Sequence, residues 1–125
     1  MRLQSDLLHA CQAAVAGTLE DLQLQFDPRV ALGVVMAAGG YPEQYEGGDI
    51  ITGLDKNLAD TKVFHAGTRE EQADIVTAGG RVLCVVGLGE DVALAQARAY
   101  ERLDLIGWRN RYFRKDIGYR AIDRH

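Results

Sequence analysis

The 125 residues carry 14 Lys and Arg against 18 Asp and Glu, a net charge of −4, and 47% of the chain is apolar. That length and balance describe one globular, soluble domain with room for a core, and they speak against general nucleic-acid binding. No apolar run approaches the roughly 20 residues that cross a bilayer, and Met1-Arg2-Leu3-Gln4-Ser5-Asp6 lacks the apolar stretch of a signal peptide. Cys11 and Cys84 both lie in apolar stretches and read as buried free thiols of a reducing compartment, the cytoplasm. With three scattered histidines they make no zinc spacing.

The first element is a helix. Ser5 is its expected N-cap, Asp6 falls in the first turn, and Leu8, Cys11, Val15, Leu19 and Leu22 recur at three-to-four spacing. Gln23 to Asp27 reads as a connector, closed by Asp27-Pro28. Val30 to Met36 is a valine-rich buried strand, broken by Gly39-Gly40-Tyr41-Pro42 and the polar loop Glu43 to Asp49. Ile50 to Thr52 and Lys62 to Ala66 read as short strands. Asp74 to Thr77 and Arg81 to Val86 flank Ala78-Gly79-Gly80, which predicts a hairpin. Arg81 to Val86 is apolar on both faces and belongs in the middle of the sheet.

After Gly87 to Gly89 comes a second helix, with Val92, Ala95, Ala99, Leu103 and Ile106 on one stripe. Glu90 and Asp91 suit its N-terminus, and Gly107 its C-terminal cap. Gln96, Arg98, Glu101 and Arg102 form its outer face, and Trp108 anchors the exit. The expected fold class is α+β: a small, mostly antiparallel sheet with an N-terminal and a C-terminal helix.

Charge is unevenly placed. Arg109 to His125 carries six Arg and Lys against two acids, whereas the preceding residues carry eight basic and sixteen acidic side chains. The densest part, Arg109, Arg111, Arg114 and Lys115, is interleaved with Tyr112 and Phe113. Arginine forks and lysine point charges hold phosphate or carboxylate, though a solvated charged tail has the same composition.

The remaining motifs have plainer readings. Gly39-Gly40-Tyr41-Pro42 offers backbone amides to an anion, but no Gly-Lys-Ser/Thr follows and no helix starts there, so a tight turn is the simpler account. His65 reads as a half-buried, hydrogen-bonded structural residue. No nucleophile–base pair and no paired-carboxylate site is visible.

The order of four phrases adds more. Leu32-Gly33-Val34-Val35-Met36-Ala37-Ala38-Gly39-Gly40-Tyr41-Pro42, Lys62-Val63-Phe64-His65-Ala66-Gly67-Thr68, Gly79-Gly80-Arg81-Val82-Leu83-Cys84-Val85 and Phe113-Arg114-Lys115-Asp116-Ile117-Gly118-Tyr119-Arg120-Ala121-Ile122 together resemble the phosphoribosylamine–glycine ligase family. The resemblance runs from residue 2 to about residue 124 and covers only the C-terminal part of that enzyme. It implies a barrel-sandwich-like domain at 27–125, preceded at 1–26 by the helical end of the ATP-grasp module. It also implies that the N-terminal and ATP-grasp parts, as the same gene product or a separate chain, are the partners. The implied activity is ATP-dependent joining of glycine to phosphoribosylamine in purine biosynthesis, with ATP and magnesium held by those other parts and no cofactor in this chain. No catalytic residue and no metal ligand is expected here, so the chain alone reads as an inactive fragment.

Under that resemblance Arg114 and Lys115, with Gly39, Gly40 and Tyr41, are the expected substrate-binding surface. Arg114 and Lys115 would hold the ribose 5-phosphate; the competing account is an ion-pair network with Asp116. A non-catalytic module that recognises a phosphorylated ligand or a partner chain remains the alternative. No Met-Lys-Met carrier lysine occurs, which sets aside a biotin or lipoyl role.

Overall fold

Five strands and three helices make up the fold in this computed structural model, which describes residues 1–122. The helices are α1 (Leu7–Ala16), α2 (Val92–Asp104) and α3 (Tyr119–Ile122). The strands are β1 (Val30–Ala37), β2 (Thr61–His65), β3 (Thr68–Glu71), β4 (Asp74–Thr77) and β5 (Arg81–Gly89). The expected α+β class, with an antiparallel sheet between helices, is what the chain adopts.

The main sheet has the order β1-β5-β2, antiparallel throughout, so β5 is central as its unbroken apolar run requires. Met36 pairs with Leu83 but Ala37 with Arg81, which leaves Val82 as an extra residue in β5. This bulge turns Val82 and Leu83 inward together, and both are fully buried. Tyr112 exchanges two backbone hydrogen bonds with Ala37 (2.7 and 2.9 Å) and so extends the sheet past the free edge of β1.

The hairpin expected across Ala78-Gly79-Gly80 does not form. β4 pairs with β3, around a turn in which Gln72 takes φ 55°, and Gly79-Gly80 carries the chain over into the other sheet. The polar phrase Thr68-Arg69-Glu70-Glu71 has no apolar alternation, so nothing in it announced a strand. Ile50 to Thr52, expected as a strand, makes only single bridges, Ile50 to Val76 and Thr52 to Gly107.

Helix α2 starts at Asp91, whose carboxylate accepts from the Leu94 amide at 2.7 Å. Ala95, Ala99 and Leu103 are fully buried against the sheet, where Gly87 and Gly89 let the helix backbone lie almost on the strand. Two expectations fail here. Leu105, not Gly107, caps the C-terminus, because Gly107 is taken by its pairing with Thr52. Arg102 is not on an outer face: it is buried, and its Nη2 donates to the Gly53 and Leu54 carbonyls at 3.1 and 3.4 Å. Burial pushes its pKa down, opposed by the nearby Asp55.

Helix α1 is shorter than its spacing predicts. Asp6 is the cap, accepting from the Leu8 amide at 2.8 Å, while Ser5 Oγ accepts from the Gln25 amide at 2.7 Å. Gly17, at φ 73°, ends the helix, and Leu19–Asp21 form a separate 3-10 turn. Only Ala13 of α1 is buried, and Cys11 is exposed, not buried as expected; Cys84 is half-buried. The segment rejoins the rest through main-chain pairing of residues 2–5 with 25–27. There Asp27 takes the fork of Arg29, which also reaches Asp60 (2.8 Å), and Arg98 of α2 closes the network on Asp60 at 3.1 Å.

Candidate functional site

Residues 112–118 run along the outer edge of β1, from Ala37 back towards Leu32, whose side chain lies against Gly118. Phe113 turns inward and packs on Tyr100 of α2, ring centroids 6.4 Å apart. The Tyr100 hydroxyl donates to the Arg114 carbonyl (2.7 Å) and accepts from the Ile117 amide (3.1 Å). Gln96 Nε2 donates to the Ile117 carbonyl at 2.7 Å. Three bonds therefore hold the backbone of a loop whose side chains, Arg114, Lys115 and Asp116, all stand exposed. A pinned loop with free charged ends is suited to presenting cations.

Arg114 is not unpaired. Its Nε and Nη2 donate to the two oxygens of Asp116 at 2.9 and 2.6 Å. The ion pair holds the Asp116 carboxyl below the usual carboxylate range and raises Arg114 further. Because both side chains are half-exposed, the pair is solvent-screened, and either partner can be exchanged at modest cost. A cavity of about 330 Å³ opens here, lined by Arg114, Asp116, Ile117, Tyr119 and Arg120 among others.

Gly39, Gly40 and Tyr41 sit farther along the same edge. A Cβ on Gly39 would stand 2.5 Å from the Asn110 carbonyl oxygen, and the Tyr41 ring lies directly on Gly80. Gly40 needs its φ of 91° to make the turn. Close packing accounts for these residue types without a ligand. The Tyr41 amide is already spent on the Ala38 carbonyl.

The neighbouring cavity of about 700 Å³ contains Gly39, Tyr45, Asp49, Arg109 and Asn110 but neither Arg114 nor Lys115. Its cation, Arg109, is paired with Glu46 (3.1 Å) and Asp49 (3.2 Å), acids that sequence reasoning left in a plain polar loop. Tyr41 lines neither of these cavities; it walls a third, of about 480 Å³, so the structure distributes the expected surface over three separate depressions. His65 bonds Thr68 through Nδ1 at 3.0 Å, as a structural histidine would, yet it is exposed rather than half-buried. Arg124, the end of the basic run, lies outside the described residues.

Among known proteins, residues 31–120 match the family described as phosphoribosylglycinamide synthetase, C domain. The chain is 54% identical over 125 residues to the phosphoribosylamine–glycine ligase of Vibrio cholerae, 55% to that of Allochromatium vinosum, and 52% over 126 residues to that of Escherichia coli O6:H1. Each alignment covers 99% of this chain and 29% of the relative, so the chain spans under a third of their length. The crystal structure of the Thermotoga maritima phosphoribosylamine–glycine ligase superposes with a TM-score of 0.69 at 34% identity, over 86% of this chain and 27% of that one.

Proposed function

Because the chain belongs to the phosphoribosylglycinamide synthetase C-domain family, we propose that it works as the C-terminal portion of a phosphoribosylamine–glycine ligase. The observation that carries this reading is 54% identity sustained along the whole chain. The complete reaction joins glycine to 5-phosphoribosylamine with ATP, in cytoplasmic purine biosynthesis. Such phosphoryl chemistry needs metal-assisted neutralisation of a triphosphate. Among the described residues no three His, Cys, Asp or Glu side chains gather as metal ligands. Magnesium and ATP are assigned outside this domain. Both belong with the ATP-grasp and N-terminal parts, the partners of this domain.

Residues 1–26 close the ATP-grasp module and 27–125 form the C-terminal domain; the exposure of Leu8, Cys11 and Val15 on α1 supports that division. Arg114 and Lys115 hold the ribose 5-phosphate, and Gly39, Gly40 and Tyr41 supply the adjoining wall of the cleft. A phosphate dianion displaces the Asp116 carboxylate from the Arg114 fork, an exchange that the exposure of the pair permits.

The test is a chimera in which this chain replaces the matching 125 residues of the Vibrio cholerae ligase. It should be active. Arg114→Ala should lower kcat/KM about 10- to 100-fold, the loss of one charge-assisted bond of about 1.5–3 kcal/mol, mainly through KM for phosphoribosylamine. If Arg114→Ala lowers the melting temperature and leaves that KM alone, the residue serves only its bond to Asp116. A chimera that folds and stays inactive favours a non-catalytic module for a phosphorylated ligand.

A further inference from the structure

The main sheet has two faces; this chain covers one of them, and on the other it buries Leu88 at one end but leaves the middle open. Leu32, Val34 and Met36 of β1 and Leu83 and Val85 of β5 lie beneath α2 and are buried. Strand alternation sends Gly33, Val35, Lys62, Phe64, Cys84 and Val86 to the other side. The register sets Val35 opposite Cys84 and Cys84 opposite Phe64, so an apolar row crosses all three strands. Val35 is 45% exposed and Phe64 41%. A cavity of about 480 Å³ continues the row, walled by Val35, Tyr41, Tyr45, Arg81 and Cys84. Gly33 keeps the face flat, since any Cβ there would crowd Cys84 Sγ at 3.1 Å.

An antiparallel sheet with one face in water carries polar residues on that face. This one is apolar, with cations at its margins. Among the described residues neither Lys62 nor Arg81 has an ion-pair partner. A contiguous apolar patch rimmed by charge is the mark of a contact surface.

We propose that this outer face seats the preceding part of the ligase polypeptide, which covers Val35, Cys84 and Phe64 with apolar side chains and meets Lys62 and Arg81 with acids. The inference rests on the reading that the domain works within a longer ligase. The aligned region is 29% of the Vibrio relative and 27% of the Thermotoga structure, so most of each protein is available as the occupant. A second copy of this chain fits less well. The outward positions of the three strands include no acid, so a copy would set one cationic margin against another.

Thiol labelling in the isolated chain and in the Vibrio chimera tests this directly. Cys84, half-buried and with its thiol pushed up by burial, should react slowly with a maleimide in the isolated chain and at least ~10-fold more slowly still in the chimera, read by peptide mass mapping. Phe64→Glu should leave the melting temperature of the isolated chain unchanged and lower that of the chimera. Equal labelling in an active chimera overturns the proposal while the functional reading stands. Protection of Cys84 in a folded but inactive chimera keeps the contact surface and removes the function. An isolated chain that dimerises with Cys84 protected assigns the face to a second copy and overturns the proposal. A chimera that cannot fold, where the unmodified Vibrio ligase does, also overturns it, since the face would then not fit its supposed seat.

Discussion

Helices α1 and α2 reverse the usual relation between composition and burial. Between Leu7 and Ala16 there is no Asp, Glu, Lys or Arg, yet Leu7, Leu8 and Val15 are 63%, 65% and 92% exposed. Helix α2 carries Arg98, Glu101, Arg102 and Asp104, yet buries Ala95, Ala99, Arg102 and Leu103. An apolar stripe supplies the driving force, but a facing surface must exist to receive it. For α2 the surface is the sheet, with glycines placed at the closest approach. Among the described residues α1 packs chiefly on the 3-10 turn Leu19–Asp21, so its stability rests largely on its own backbone bonds.

The contrast should be largest in the core. Leu103→Ala should destabilise the chain by about 2–5 kcal/mol in urea unfolding, because Leu103 is fully buried and its neighbours cannot collapse around the gap. A loss no larger than that of a surface change would mean that α2 does not hold the sheet. Hydrogen exchange should rank the helices the same way, with amides of Leu7–Ala16 exchanging by local opening and those of Val92–Asp104 near the global limit. Equal protection would break the comparison.

The caps should sharpen it. Asp91→Ala should cost about 1 kcal/mol of global stability, the usual worth of an N-cap. Asp6→Ala removes an equivalent bond from α1 but should only fray that helix, with the urea midpoint unmoved and less helical circular dichroism.

The joint between the two regions should respond to acid. Arg29 holds the Asp27 carboxyl down at about 2, from an ordinary 3.8. A depressed carboxylate stabilises the fold fully above its unfolded value and loses that contribution as pH falls through the folded one. The stability gap between the parent chain and Asp27→Asn should therefore be constant above about pH 5 and close towards pH 2. A gap that is the same at pH 2 and pH 6 would show that the carboxylate charge contributes nothing. The smallest effect should be Val15→Lys, within ~0.5 kcal/mol, since the side chain is almost wholly in water.

Local patterns determined much of this protein: β1 and β5 as buried strands, β5 at the centre, α2 and its stripe, and the α+β class all follow from apolar periodicity. The four phrases in order also identify the family. What only the tertiary structure decided are features made by residues distant in sequence. The pairing of β4 is the local exception: it folds back on its sequence neighbour β3 through a two-residue turn, which the polar run Thr68–Glu71 does not announce. Arg102 is inside because the Gly53 and Leu54 carbonyls come to meet it. Arg114 lies in a different depression from Gly39 because Tyr100 and Gln96 fasten the 114–117 loop to α2. Which apolar faces stay bare is likewise undecidable from periodicity. A stripe records that a residue avoids water, and only the assembled chain shows whether anything arrived to exclude it.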